Sequence, residues 1–170
     1  MKYIKKYVSP IGDLLLISDG EGLCGLYFIG EKYLDKNLKV HEKDLKIFKD
    51  TFNWLDLYFK GQEPPFIPKL NLIGSDFRKS VWEILLTIPY GQTTSYKNIA
   101  HIIAEKRSMD KMSPQAVGGA VGHNPISIIV PCHRVVGANG NLTGYAAGLD
   151  KKIALLKLEG LNMSKFSYPK

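Results

Sequence analysis

Ser113-Pro-Gln-Ala-Val-Gly-Gly-Ala-Val-Gly-His-Asn-Pro-Ile-Ser-Ile-Ile-Val-Pro-Cys-His-Arg-Val-Val136 changes character halfway along its length. Its first part reads as a helix. Ser113 is an N-cap, Pro114 suits the first helical position, and His123-Asn124 ends the helix ahead of Pro125. Its second part, Pro125 to Val130, is an apolar run that reads as a strand. Pro131 ends the pairing, and Cys132, His133 and Arg134 then stand side by side.

The elements on either side give this stretch its setting. Upstream, Ser75 or Asp76 caps a helix whose apolar stripe is Phe77, Val81, Leu85 and Leu86, closed by Pro89-Tyr-Gly91. A second helix follows Thr94-Ser95, with Tyr96, Ile99, Ala100 and Ile103 on one side, and the polar stretch Glu105 to Met112 is a loop. Downstream, Arg134 to Val136 and Leu142 to Tyr145 flank Asn139-Gly140, a strong hairpin-turn signal. A last helix, Leu149 to Glu159, closes at Gly160. Two helices in tandem followed by a hairpin is the order of a winged helix-turn-helix.

The first half is patterned differently. Tyr3 to Val8, Leu14 to Ile17 and Leu23 to Ile29 are short apolar runs separated by turns, as in an antiparallel meander. Phe48, Phe52, Leu55 and Phe59 then recur at helical spacing. The expected fold is α+β. A small N-terminal antiparallel-sheet domain, residues 1–75 with a linker at about 61–75, precedes a winged helix-turn-helix-like C-terminal domain, residues 76–170, that carries the cysteine.

The chain has 170 residues and a formal net charge of +7. Residues 1–75 hold 11 Lys/Arg and 10 Asp/Glu, whereas residues 76–170 hold 12 and 6, so the second half is the one suited to an acidic partner such as nucleic acid. No apolar run approaches the roughly 20 residues of a membrane helix. The N-terminus lacks an h-region, and two cysteines make no disulfide framework, so the chain reads as cytoplasmic.

Cys132 is the candidate nucleophile. A thiol beside a cation or imidazole is more readily ionised, and His133 can act directly or through a water. Adjacent residues often point apart, so the pair alone is a weak signal. Cys24, in an apolar run, reads as a small buried hydrophobe. Glu159 ends a helix, where the macrodipole disfavours an acid. It is either a solvated surface group or an inward-facing partner that holds His133 in its proton-accepting tautomer. Tyr96 is either a core aromatic or a phenol donating into a pocket. Gly144-Tyr145-Ala146-Ala147-Gly148 is a turn or a pocket wall. Three glycines in the Pro114–Gly122 stretch cost roughly 1 kcal/mol each relative to alanine. They imply either tight helix packing or a smooth surface that admits a backbone-rich partner.

The residues Ala116-Val-Gly-Gly-Ala120, Asn124-Pro-Ile-Ser-Ile-Ile-Val-Pro-Cys-His-Arg-Val-Val136, Gly144-Tyr145 and Leu158-Glu-Gly160 strongly resemble the O6-alkylguanine-DNA alkyltransferases. The resemblance implies a single-use DNA repair enzyme, a methylated-DNA–protein-cysteine methyltransferase. It would bind duplex DNA containing alkylated guanine through the minor groove, as a monomer, and flip the damaged nucleotide out. Cys132 would take the alkyl group from guanine O6 irreversibly. His133 would activate it through a water, with Glu159 behind. Asn124 matches the hinge between recognition helix and active-site segment, and Tyr96 the tyrosine that donates to the flipped base. Val135, Gly144, Tyr145 and Ala146 match the base pocket. Ser95, Gln115, Ala116, Gly118 and Gly119 fall on the DNA-facing side, and Arg134 looks structural.

Some positions depart from that pattern. Gln115 stands where the family often carries an arginine that fills the gap left by the flipped base. The Glu105–Met112 loop, with Lys106, Arg107 and Lys111, is longer than a tight turn. Some members hold zinc in the N-terminal domain, but Cys24 and His41 are too few ligands, so no metal or cofactor is expected. The resemblance also admits O4-methylthymine as a second substrate. A lesion sensor on the same scaffold, without transfer, and a cysteine hydrolase using Cys132 and His133 are the competing readings.

Overall fold

The computed structural model describes residues 1–169. The chain divides into two compact units: Met1–Ile73 with Pro125–Ile129, and Gly74–Asn124 with the chain from Val130 onward.

The first unit is built on a four-stranded sheet of order β3-β2-β1-β4, with β1 Lys2–Ser9, β2 Gly12–Ser18, β3 Leu23–Phe28 and β4 Val40–Glu42. The three strands read in the sequence pair antiparallel, β1 with β2 from Tyr3↔Ser18 to Ser9↔Gly12, and β2 with β3. The short β4 pairs parallel to β1 and lay outside the expected meander. Helix α1, Lys46–Phe59, buries Phe48, Trp54, Leu55 and Tyr58. It is tied to β1 through Tyr7, whose ring meets Phe52 edge-on at 4.9 Å and whose hydroxyl donates to Asp56 at 2.7 Å. Lys69 and Asn71 pair with Leu23, extending the sheet where a linker was expected.

Residues 125–129 are also stitched to β3, because Leu26 N donates to Pro125 O and Ser127 N to Leu26 O. They do not form the expected strand. Ile129 N donates to Ser127 O at 2.8 Å, closing a γ-turn around Ile128, whose φ is +72°. A β-branched residue in that region is strained by about 1–3 kcal/mol. Glu31 borders the same segment. Its buried carboxylate accepts from Phe28 N at 2.7 Å and from Ser127 Oγ at 3.4 Å.

In the second unit, Ser75 caps α2, Asp76–Leu85, and Ser95 caps α3, Tyr96–Lys106. Ser113 caps α4, Pro114–Gly122, with Pro114 in its first turn. Val81, Trp82, Leu85, Ile99, Ile103, Val117 and Ala120 form the buried interior of this helical group. Trp82 Nε1 donates to Ala120 O at 2.8 Å, fastening α2 to α4. Strand β5, Thr94–Ser95, pairs parallel with β6, Val135–Val136. Helix α5, Leu149–Leu158, completes the unit.

The expected wing hairpin is not formed as such. The turn itself is present, since Asn139 and Gly140 both have positive φ and Asn141 N donates to Ala138 O, as in a type I′ turn. Its two arms meet next to the turn, where Gly137 N donates to Asn141 O at 2.7 Å, and beyond that the returning arm pairs elsewhere. Leu142 N donates to Ser167 O and Ser167 N to Gly140 O, so a segment beyond α5 takes the place of a second hairpin strand.

Candidate active site and DNA-facing groove

Cys132 begins a 3-10 turn, Cys132–Arg134, rather than ending a strand. Pro131, at φ −82° and ψ 64°, is the centre of an inverse γ-turn closed by Cys132 N donating to Val130 O at 2.8 Å. Asn124, just past the end of α4, donates from Nδ2 to the same Val130 O at 2.7 Å. One carbonyl therefore ties the end of α4 to the turn that carries the thiol. Cys132 is 7% exposed.

His133 and Glu159 come together out of sight of solvent. His133 is fully buried, and its Nε2 lies 2.5 Å from Glu159 Oε2. Glu159 Oε1 accepts from Arg134 Nε at 2.8 Å and from Gly91 N at 2.9 Å. Burial alone would raise the Glu159 carboxyl, but the hydrogen bonds from His133 and Arg134, with the Arg134 charge, outweigh it and hold the group at about 2. Burial holds the His133 imidazole below its ordinary value, against the pull of Glu159. An ionised carboxylate can only accept, so His133 donates from Nε2 and its lone pair is on Nδ1. That is the tautomer of a general base.

Arg134 serves this carboxylate. Besides binding Glu159, its Nη1 donates to Ile88 O at 2.7 Å, and the guanidinium lies 5.8 Å from the centre of the Tyr90 ring. The sequence marked it only as structural.

Lys152 was not singled out in the sequence and is fully buried. Its ammonium donates to Val135 O at 2.6 Å, Thr143 O at 2.9 Å and Gly144 O at 3.2 Å. Burial pulls it down to about 8, an effect opposed by the charge on Cys132. The signal was present in α5, where Lys152, Leu155, Leu156 and Glu159 fall at i, i+3, i+4 and i+7, so a lysine and a glutamate bracket the apolar stripe. Lys152 gathers the backbone of Val135 and Gly144, two of the expected pocket residues. Tyr145 and Ala146 follow, both half-buried.

Tyr96 stands at the start of α3, directly after β5, and the β5–β6 pairing sets it beside Val135 and Val136. Its hydroxyl donates to Thr143 O at 3.1 Å. Burial first, and the charge of Cys132 second, push the phenol up to about 12, so it stays a donor.

The glycines of α4 are not there for helix packing. A Cβ at Gly119 or Gly122 would meet nothing within 4 Å, and one at Gly118 would make ordinary contact with the Tyr96 ring at 3.8 Å. Val117, Ala120 and Val121 face inward. Gln115, Ala116 and Gly119 are exposed on the other side. Beside this smooth face runs a groove of about 1040 Å³, lined by Ser95, Tyr96, Gln115, Gly118, Asn139 and Gly144 among others.

Cys24 is buried, with Lys2 Nζ at 3.5 Å from its sulfur. Among the described residues no helix is long and apolar enough to cross a membrane.

Comparison with known proteins agrees over nearly the whole chain. Residues 76–161 match the family described as 6-O-methylguanine DNA methyltransferase, DNA binding domain, and residues 2–72 match its ribonuclease-like domain. The methylated-DNA–protein-cysteine methyltransferase of Methanosarcina acetivorans is 45% identical over 161 residues, covering 93% of this chain and 98% of that protein. The crystal structure of Mycobacterium tuberculosis O6-methylguanine methyltransferase matches with a TM-score of 0.80 at 43% identity, covering 94% of this chain and 93% of the other. The crystal structure of the Mycobacterium tuberculosis OGT in complex with DNA matches with a TM-score of 0.81 at 41% identity, covering 96% and 94%.

Proposed function

The chain belongs to the 6-O-methylguanine DNA methyltransferase family, and from that membership we propose that Cys132 is the acceptor through which it repairs O6-alkylguanine in duplex DNA. The reaction is a direct alkyl transfer to a protein cysteine. The Cys132 thiolate attacks the alkyl carbon, an S–C bond forms, and the bond from carbon to guanine O6 breaks. The electron pair leaves on the guanine, which takes up a proton. The thioether is not cleaved again, so each molecule acts once.

The observation that carries this reading is the buried Cys132–His133–Arg134 turn backed by Glu159. His133 takes the thiol proton through a water, and Glu159 stabilises the imidazolium that forms. Tyr96 exchanges its hydrogen bond to Thr143 O for one to the extruded base and assists the departure of its oxygen. Carbonyls held by Lys152 around Val135 and Gly144 supply acceptors for the base edge. A pocket of fixed backbone dipoles needs no rearrangement as charge moves.

The glycine-rich face of α4 suits the minor groove, where a flat backbone surface docks without reading base edges. Gln115 projects from the first turn of that helix and fills the space left by the flipped nucleotide. One chain carries every residue of this site, in keeping with action as a monomer. Neither cysteine is in a disulfide, which suits a reducing compartment such as the cytoplasm.

The test is incubation with a duplex containing O6-methylguanine. The expected result is one methyl per chain and no further turnover. Cys132→Ala is expected to bind the duplex and take no methyl. Binding by the wild-type chain without transfer would indicate a lesion sensor, and repeated turnover on an ester would indicate a hydrolase.

A further inference from the structure

The segment after Gly160 is built into the wing. It passes through the 3-10 turn Met163–Lys165 and then exchanges two backbone hydrogen bonds with the Asn139–Gly140 turn, Ser167 N to Gly140 O at 3.0 Å and Leu142 N to Ser167 O at 2.8 Å. The approach is so close that a Cβ at Gly140 would lie 2.6 Å from Lys165 O. Leu161, Met163 and Phe166 pack against the buried cluster of Val136, Leu142 and Leu156. This seating is apolar underneath and hydrogen-bonded along its edge, which is how a strand of a small sheet is held.

The consequence lies on the outer side. Lys165 is exposed and lines the same groove as Tyr96, Gln115 and Gly118. Among the described residues lining that groove, the charged ones are Lys97 and Lys165, both cations. Lys97 comes from the α3 side and Lys165 from the wing side. A groove with two cations and no acid has the charge of a channel for a phosphate backbone.

We propose that the segment Leu161–Ser167 is part of the DNA-docking surface, and that Lys165 contacts a backbone phosphate of the bound duplex. This rests on the function proposed above and adds to it a wall contributed from outside the helix-turn-helix. The contact is to phosphate, so it sets affinity and salt dependence without reading sequence.

The test is a salt titration of binding to an unmodified duplex. Each neutralised phosphate contributes about 0.9 to the slope of log K against log salt. Lys165→Ala is expected to lower the magnitude of that slope by about 0.9, so that from 50 to 200 mM salt the wild type weakens about 3.5-fold more than the variant. Lys165→Arg is expected to keep the wild-type slope. Phe166→Ala, which loosens the seat and keeps the charge, is expected to weaken binding. Lys157→Ala, an exposed cation on α5 outside the groove lining, is expected to bind as the wild type does. An unchanged slope in Lys165→Ala, or an equal loss in Lys157→Ala, overturns the inference while leaving the function intact, provided the wild-type chain takes its methyl stoichiometrically. A wild-type chain that takes none overturns the function and this inference together.

Discussion

Replacing Glu159 with glutamine removes one charge from the centre of the site while keeping its shape. In the wild type that carboxylate accepts from His133, Arg134 and Gly91, and the fold holds it at about 2 against an ordinary 4.5. The difference corresponds to about 3 kcal/mol of stability at neutral pH. The figure agrees with the roughly 3–5 kcal/mol lost when one partner of a buried ion pair is removed, and here Arg134 would be the charge left behind. The group's value is depressed by folding, so its stabilisation is present above pH 4.5 and is lost as pH falls toward 2. Urea unfolding of wild type and Glu159→Gln across that range measures it directly. The expected difference is about 3 kcal/mol at neutral pH, shrinking through the acid range. Single-turnover transfer is expected to fall by about 10²-fold or more, because glutamine can hold the His133 ring but cannot stabilise imidazolium. A stability difference that stayed constant with pH, or a transfer rate within a few-fold of wild type, would show that the Glu159 charge supports neither the fold nor the imidazolium.

Three further outcomes are expected. Lys152→Met leaves the carbonyls of Val135, Thr143 and Gly144 without their buried donor but also removes an ammonium that burial penalises, so the two effects offset in stability and the expected outcome is slower single-turnover transfer from a disordered pocket wall; a transfer rate within a few-fold of wild type would contradict this role. Glu31, which burial pushes up to about 7, has a folded value above its unfolded one, so its favourable contribution is complete below pH 4.5 and is lost as pH rises through 7. Glu31→Gln is therefore expected to be the more stable chain above that range by about 3 kcal/mol, with the advantage vanishing in acid; equal stabilities at all pH values would show that Glu31 titrates normally. Gly119→Ala has open space for its methyl group, so it is expected to stabilise α4 by about 0.5–1 kcal/mol and yet weaken duplex binding; gained stability with unchanged affinity would mean that this face does not meet DNA.

What was legible in the sequence was mostly local chemistry. Ser75, Ser95 and Ser113 announce their helices because a cap depends on the residues next to it. Asn139-Gly140 announces its turn because positive φ is a property of those two residues. The partner of the turn was illegible, because Ser167 reaches Gly140 and Leu142 through the folding of α5 and not through any local pattern. Pro125 to Val130 misled for a related reason. β-branched residues in a row read as a strand, but Ile128 is held in a γ-turn by contacts to Leu26 and its neighbours, which lie far away in the chain. Cys132, His133 and Glu159 could be named from residue types and the family pattern, and the structure brings His133 and Glu159 together. Of the supporting cations Arg134 was marked only as structural and Lys152 not at all, since lysine and arginine are ordinarily surface residues. Only their places, Lys152 within an apolar stripe and Arg134 beside a buried histidine, mark them as interior.

The most direct measurement is peptide mass mapping after one incubation with duplex carrying O6-methylguanine. The peptide containing Cys132 should gain the mass of one methylene, in proportion to lesion consumed, while the peptide containing Cys24 stays unmodified. Methyl found on Cys24 or on no cysteine, with the lesion nonetheless removed, would show that Cys132 is not the acceptor.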